Sequence, residues 1–248
     1  ILMKFKLLLV IFFFVSCSKE SFDNFSINNQ KFNGELKWIK KFGGSNDDIA
    51  NDIIETSDGN IAIIGSSSSI DGSITDKNTI EFDFWFLKLS QEGEILLNKT
   101  YGGNGDDRGQ SIVEISGGGY LLVGYSKSSD GDASKNQGFH DNWIIRIDSE
   151  GTILWEQSIG FSGHDHANSI IETKDGGFFI TGFLDVSASN GNGNYGKGIN
   201  NNHGVGEFWG HKLNSEGKII WSRYFGGTNN DRSYDVIETI NEEFIIVG

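Results

Sequence analysis

The sequence predicts an all-β fold, a β-propeller built of four-stranded antiparallel blades. A motif of the type FGGxxDD begins at four places, with spacings of 59, 58 and 66 residues. Each repeat holds four short runs of apolar, β-branched and aromatic residues bounded by Gly, Asp or Asn, which is typical of strands joined by tight turns. No stretch shows sustained helical periodicity. Because a β-solenoid would have shorter units, four strands in each repeat favour propeller blades.

The four strands of a repeat follow from patterns that the repeats share. The first strand follows the FGGxxDD motif, and the second ends at a glycine, as in IAIIG. The third carries an acid two residues before a tryptophan, a base three residues after it and a turn glycine eight after it. The fourth, such as ILLNKTY, leads back to the motif. An extra copy of the fourth, LKWIKKF, predicts one more strand over 35–41.

This combined pattern of D-x-W, turn glycine, FGGxxDD and E-T-x-D-G-G resembles the long-repeat β-propellers of Bacteroidota surface and secreted proteins. The resemblance covers residues 35–248, which we take as the propeller domain. It implies a repeat lipoprotein with a propeller fold, and it implies little about activity.

The repeats divide into three full units and one partial unit. The units are 42–100, 101–158, 159–224 and the partial 225–248. Together with the strand over 35–41, the partial unit would have three strands and lack the D-x-W strand. A four-bladed ring closed by this composite blade is one interpretation. We expect instead a fragment of a larger ring, because propellers commonly have about five to eight blades.

Residues 1–16 are predicted to be a signal peptide. Two lysines precede the apolar run LLLVIFFFV, which is too short to span a bilayer as a stable helix. Cys17 follows the apolar run after one small residue, Ser16, and this arrangement resembles a bacterial lipobox, although Phe14 stands where leucine is usual. The resemblance implies that Cys17 is lipidated and that 17–34 form the lipidated N-terminus and a polar tether. An ordinary signal peptide cleaved nearby, or an uncleaved anchor, remains the alternative.

The charge of the chain limits its partners. Without the two lysines of the signal peptide, 18 basic residues stand against 34 acidic ones. Such a surface repels nucleic acid and anionic membranes, so we expect no nucleic-acid partner and membrane contact only through the lipid anchor. Cys17 is the only cysteine, which excludes an intrachain disulfide. We therefore expect an exported lipoprotein of the outer membrane or cell surface.

Strand parity predicts that all the long loops lie on one face. These are the second-to-third strand loops, about 66–82, 125–140 and 183–206, together with the FGGxxDD links. The first-to-second and third-to-fourth connections are tight turns on the opposite face. Binding residues concentrate on long loops carried by a rigid scaffold, so we expect any ligand on the long-loop face.

The FGGxxDD motif is predicted to be structural. Its glycines do not have the G-x-G-x-x-G spacing, so dinucleotide and P-loop functions are excluded. One aspartate recurs in every copy: Asp48, Asp107, Asp165 and Asp231. An active site would be expected once. An aspartate that accepts backbone N–H bonds in each interblade turn explains the recurrence.

Four histidines form a candidate transition-metal site. His164 and His166 replace the acid and the basic or small residue of the other copies, and strand parity places His140 and His203 on the same face. Imidazole nitrogens are common ligands of zinc and related ions. A fifth histidine, His211, lies on a strand position that predicts a half-buried structural residue.

No cofactor is expected, although calcium is possible in addition to the candidate transition metal. Asp130 and Asp132 alternate around a glycine in SSDGDAS, which suits the oxygen ligands of Ca²⁺. The loop lacks the closing glutamate of an EF-hand, and a solvated Asp-Gly turn explains the same residues.

The third unit carries an insertion over 187–206 that the other units lack. Amide and aromatic side chains suit sugar hydroxyls and CH groups, so this loop is a candidate glycan-binding element. The residues concerned are Asn190, Asn192, Tyr195 and Lys197. A Gly/Asn-rich loop without a ligand is the alternative.

Little in the sequence supports catalysis. Neither G-x-S-x-G nor H-E-x-x-H occurs. We therefore expect a non-catalytic cell-surface scaffold that binds a protein or a glycan. The alternatives are a glycan-degrading or quinoprotein-like propeller enzyme with its site in further blades, and a structural spacer of the cell envelope.

Overall fold

A computed structural model describes the chain over residues 36–161, 163–184, 207–226 and 230–248. The chain divides into two compact units, Ile1–Leu36 and Lys37–Gly248, and every strand belongs to the second. The predicted signal peptide, lipidation site and tether, and the insertion over 187–206, lie outside the described residues. Across the described ranges, no helix has the length and apolar character that crossing a bilayer requires.

The described residues form fourteen β-strands and no helix. The first sheet contains β1 (Asp48–Glu55), β2 (Ile61–Ser67), β3 (Asp83–Leu89) and β4 (Ile95–Tyr101). The second contains β5 (Asp107–Glu114), β6 (Tyr120–Ser126), β7 (Asp141–Ile147) and β8 (Ile153–Ile159). The third contains β9 (His166–Glu172), β10 (Phe178–Leu184), β11 (Glu207–Leu213) and β12 (Ile219–Phe225). A two-stranded sheet follows, β13 (Asp235–Glu238) and β14 (Phe244–Val247).

Each four-stranded sheet is an antiparallel meander in which strands pair in chain order. The prediction of an all-β fold with four-stranded antiparallel blades is therefore confirmed. The first and second strands of each sheet share one irregularity, a register shift caused by one extra residue near the start of the first strand. The extra residue of β1 is Asn51, and its side-chain amide donates to the carbonyl oxygen of Gly109 in the next sheet, at 2.6 Å. The bulge thus joins neighbouring sheets.

Consecutive sheets pack face to face, and their first strands lie side by side. β1 contacts β5, β5 contacts β9, and β9 contacts β13. The apolar cores lie between the sheets: in the first, Phe84 meets the ring of Trp143 edge-on, with centroids 4.8 Å apart. Trp143 is fully buried. The described strands follow one another as propeller blades do, and they do not close into a ring.

The prediction of a strand over 35–41 is wrong, because residues 36–41 adopt no regular secondary structure. The segment still lies against the first sheet, where the indole Nε1 of Trp38 donates to the Gln91 carbonyl at 2.7 Å. Trp38 borders Gly93 just as Trp155 borders Gly217 two sheets later. The residues therefore occupy an outer-strand position, but no described strand lies beside them to supply the backbone hydrogen bonds of a ladder.

The tryptophan of each third strand shows how the third sheet departs from the others. The indoles of Trp85 and Trp143 donate to side chains on the fourth strand, at 2.8 and 3.0 Å. In the third sheet the corresponding side chain is Ser222, which bonds to His211 Nδ1 at 2.6 Å. The Nε1 atom of Trp209 is buried without a hydrogen-bond partner among the described residues. His211 is fully buried, deeper than the half-buried position that the sequence predicts.

The glycine that opens each link between sheets is required by two carboxylates. A Cβ atom added to Gly102 would lie 2.4 Å from Asp83 Oδ1 and 2.9 Å from Asp107 Oδ2. At the next link, a Cβ on Gly160 would lie 2.4 Å from an oxygen of Asp141. The recurrent first glycine of the motif is therefore explained by close packing.

We predict that Gly102→Ala lowers the free energy of unfolding by about 1–3 kcal/mol, as overpacking of a well-filled site does. The matched control is Gly117→Ala, because an added Cβ there meets nothing within 4 Å. Urea unfolding of both variants measures the difference. Equal stability of the two variants would contradict the packing explanation.

His211 makes the stability of the fold depend on pH. Burial lowers the pKa of His211 from 6.5 to about 3, so the unfolded chain takes up this proton first as the pH falls. Stability is therefore lost progressively below pH 6.5. Between pH 7 and pH 5 we expect the natural chain to lose about 2 kcal/mol more than His211→Leu, which carries the residue type of Leu87. Parallel losses in urea unfolding at the two pH values would refute this assignment.

Candidate functional site

The long loops and the links meet on one face of the sheets. The link before β1 donates its Ser45 N–H to Asp71 Oδ1 at 2.7 Å, and its Asn46 amide donates to the Ser68 carbonyl at 3.0 Å. Both acceptors lie on the loop between β2 and β3. This loop therefore lies on the same face as the link, as strand parity predicts, and holds it by hydrogen bonds.

A buried aspartate organises the link before the second sheet. Asp107 is fully buried and accepts from the Gly103 N–H at 2.9 Å. It also accepts from the hydroxyls of Ser126 at 2.5 Å and Ser128 at 2.7 Å. The side chain thus ties the link to the start of the following loop. This is the hydrogen bonding expected of a structural turn residue.

The other recurrent aspartates occupy the same position. Asp48 accepts from the Gly44 N–H at 2.7 Å, and Asp165 accepts from the Phe161 N–H at 2.6 Å. Asp231 lies at the fourth link, just beyond residues 227–229, which lie outside the described residues.

The two carboxylates selected for calcium accept hydrogen bonds from the link before the second sheet. Asp130 Oδ1 accepts from the Asn104 N–H at 2.9 Å, and Asp132 Oδ2 accepts from the Gly102 N–H at 3.1 Å. Burial raises the pKa of Asp132. The loop SSDGDAS therefore has a bracing role on the long-loop face.

The acid two residues before each tryptophan has an environment that the sequence pattern did not reveal. Burial raises the pKa of Asp83 to about 7, against the opposing effect of Lys77, whose Nζ lies 3.5 Å from Oδ2. Burial raises the pKa of Asp141 to about 6. In each case Oδ1 is buried without a hydrogen-bond partner among the described residues. Because the arrangement recurs in two sheets, it belongs to the scaffold.

Three of the four histidines predicted as metal ligands come together. His140, His164 and His166 can each offer a ring nitrogen such that all three atoms lie within 4.8 Å of one another. The Nδ1 atoms of His140 and His164 are 3.0 Å apart. His203, the fourth, lies outside the described residues. We refer to these three residues as the histidine cluster.

The backbone fixes the histidine cluster at the junction of the second and third sheets. His140 ends the β6–β7 loop, and its carbonyl accepts from the Asp165 N–H at 2.7 Å. The His140 N–H donates to the Gly163 carbonyl at 3.2 Å. His140 and His164 thereby form an isolated parallel β-bridge. His166 begins β9. The cluster therefore draws its side chains from two sheets.

Two imidazoles of the cluster, those of His140 and His166, are neutral at physiological pH. Burial and the neighbouring imidazoles lower the pKa of His166 to about 3 and that of His140 to about 4. Tyr125 stacks on His166 with ring centroids 3.7 Å apart, and Phe183 packs nearby at 4.5 Å. Within the described residues, His166 Nε2 is buried without a hydrogen-bond partner. His164 is exposed, so the cluster opens to solvent on one side.

The preceding junction holds different residues at the same three places. There the Phe82 carbonyl accepts from the Asp107 N–H at 2.7 Å, as the His140 carbonyl does from Asp165. Arg108 lies over the Phe82 ring at 3.9 Å, and its Nε donates to Asp106 at 2.7 Å. Phe82, Asp106 and Arg108 thus form a closed cation–π and ion-pair contact. The sequence showed the replacement of the last two by histidine, but not that His140 takes the place of Phe82.

The residues predicted to contact a glycan lie outside the described residues. They are Asn190, Asn192, Tyr195 and Lys197. Their role stays a prediction.

Comparisons with known proteins assign no family. No family model matches the chain, and no curated protein matches it. A crystal structure of a protein of unknown function from Bacteroides caccae is similar at 14% sequence identity. The similarity covers 73% of this chain and 70% of that one, with a TM-score of 0.27. At this level the likeness carries no conclusion about function.

Proposed function

We propose that this chain is an exported, non-catalytic binding protein whose blades present the long-loop face to a glycan. The observation that carries the proposal is an open polar cleft of about 520 Å³ on that face. The side chains of Glu81, Asn104, Asp106 and Lys127 line it, together with the loop segment 128–130.

The chemistry of the cleft supports a hydroxyl-rich ligand. Carboxylates accept hydrogen bonds, the lysine donates them and the amide does both, which matches sugar hydroxyls that also do both. Lys127 Nζ lies 4.6 Å from the ring centroid of Phe139, which is half exposed at 47%. This ring offers an apolar surface for sugar CH groups beside the polar donors. A protein ligand on the same face is the alternative.

The rigidity of the cleft supports binding as well. Asn104 N–H donates to Asp130 at 2.9 Å, and the Gly105 N–H donates to Ser128 Oγ at 2.8 Å. Both bonds join the two walls of the cleft. A surface ordered before the ligand arrives loses less conformational entropy on binding.

An enzymatic role is less well supported. A carboxyl group with a pKa near 7, such as Asp83, is the kind of group that serves as a general acid. However, Asp141 recurs in the same environment in the next sheet. A recurrent buried acid fits the scaffold better than a single catalytic centre.

The export proposal predicts that Cys17→Ser releases the protein from membranes. Lipidation requires the cysteine thiol, and serine keeps the size and polarity of the side chain. Fractionation of cells and labelling with a radioactive fatty acid provide the measurement. The natural chain should be labelled and should sediment with membranes. A Cys17→Ser variant that is still labelled and still sediments with membranes would contradict the lipoprotein assignment.

The binding proposal predicts that Lys127→Ala weakens glycan binding at least about tenfold, because a charge-assisted hydrogen bond contributes about 1.5–3 kcal/mol. A glycan array identifies the ligand, and calorimetric titration measures its dissociation constant. The matched control is Lys218→Ala, which removes an exposed lysine from a β11–β12 hairpin on the opposite face. Failure of the array to yield a glycan, or equal losses in the two variants, would overturn the proposal.

A further inference from the structure

We propose that His140, His164 and His166 bind a transition-metal ion of the zinc class and that this ion joins the second and third sheets. The inference is independent of glycan binding, because none of the three residues lines the proposed cleft. The site lies at the same face, one junction further along the chain.

The donor set selects the class of ion. All three donors are imidazole nitrogens, which suit zinc, copper and nickel, whereas calcium and magnesium require oxygen ligands. The acidic character of the chain further favours the approach of a cation.

The distances are close to those of a coordinated ion. Zinc bonds of about 2.0–2.1 Å in tetrahedral geometry place ligand nitrogens about 3.3 Å apart. His140 Nδ1 and His164 Nδ1 are already 3.0 Å apart, and the third nitrogen lies within 4.8 Å. A modest movement of one ring completes three-coordination. The exposed side of His164 leaves a fourth position for water or for a group of a ligand.

Unused hydrogen-bonding capacity points to the same conclusion. His166 Nε2 is buried and has no partner within the described part of the chain. A buried polar atom without a partner costs free energy, and a metal bond would remove this cost. On metal binding, the hydrogen bond between the Nδ1 atoms of His140 and His164 would be replaced by two metal bonds, with the protons of both rings on Nε2.

The preceding junction shows that the fold does not need histidine at these places. Phe82, Asp106 and Arg108 close that junction through their own charges and the aromatic ring. In the second junction all three positions are histidine. The replacement of all three residues removes the cation–π and ion-pair contact and introduces three imidazoles that can coordinate a metal. A purely aromatic cluster with Tyr125 is the alternative that the experiment must exclude.

The test is titration of Zn²⁺ into the full chain, purified without a histidine tag and stripped with a chelator. We expect one ion per chain, and a rise of the thermal midpoint with zinc concentration, because the ion binds the folded state only. His166→Ala should weaken binding by more than the about 10–100-fold that loss of an outer partner costs. His211→Leu, which removes a histidine outside the cluster, should bind zinc as the natural chain does.

A folded control separates loss of ligands from loss of structure. The triple variant His140→Phe, His164→Asp and His166→Arg rebuilds the residues of the first junction. It should keep the circular dichroism spectrum of the natural chain and lose the response of its thermal midpoint to zinc. The proposal is overturned if the natural chain binds no zinc at equimolar concentration. It is equally overturned if the triple variant binds zinc with unchanged affinity.

Discussion

The buried aspartate of the interblade link is the interaction on which the arrangement of the sheets depends. A single four-stranded sheet leaves apolar surface on both faces, so it needs a neighbour at a defined angle. Asp107 supplies this definition, because its carboxylate accepts hydrogen bonds from the backbone of the link and from two hydroxyls, one at the end of β6 and one just beyond it. Hydrogen bonds to a charged acceptor are about twice as strong as neutral ones. The next sheet is therefore placed by polar contacts at its edge as well as by its core.

Features that depend on neighbouring residues were predictable from the sequence, and features that depend on distant ones were not. The repeats fixed the sheets and the role of Asp107, because four copies of one pattern reveal what each position must do. The sequence over 35–41 has the pattern of a fourth strand, but a strand forms only where a neighbouring strand pairs with its backbone, and none does so here among the described residues. The burial of His211 was underestimated, because its neighbour Ser222 is recognised only from the register. The histidine cluster was predicted in part, because histidines that replace the usual residues of a repeat are visible in the sequence. The 3.0 Å contact between His140 and His164 was not predictable, because it joins residues of different repeat units.

The first two junctions show how one backbone supports two chemistries. In both, an aspartate N–H donates to the carbonyl of the residue before the third strand, at 2.7 Å. Because this bond sets the geometry, the three side chains around it are free to differ. One junction uses an arginine stacked on an aromatic ring, and the other uses three imidazoles. New binding sites can arise in such a scaffold without a change of fold.

The bulge at Asn51 has a consequence for how the blades unfold. Its amide bond to Gly109 makes one sheet complete only when the next is in place, and Asn168 makes the equivalent bond to Ser233 at 2.7 Å. Stability is then a chain of nearest-neighbour couplings, as in other repeat proteins. The loss of one blade removes hydrogen bonds from the blade before it, so melting spreads along the array rather than staying local. In the first and third sheets, one extra residue in the first strand therefore couples the unfolding of a blade to that of the next.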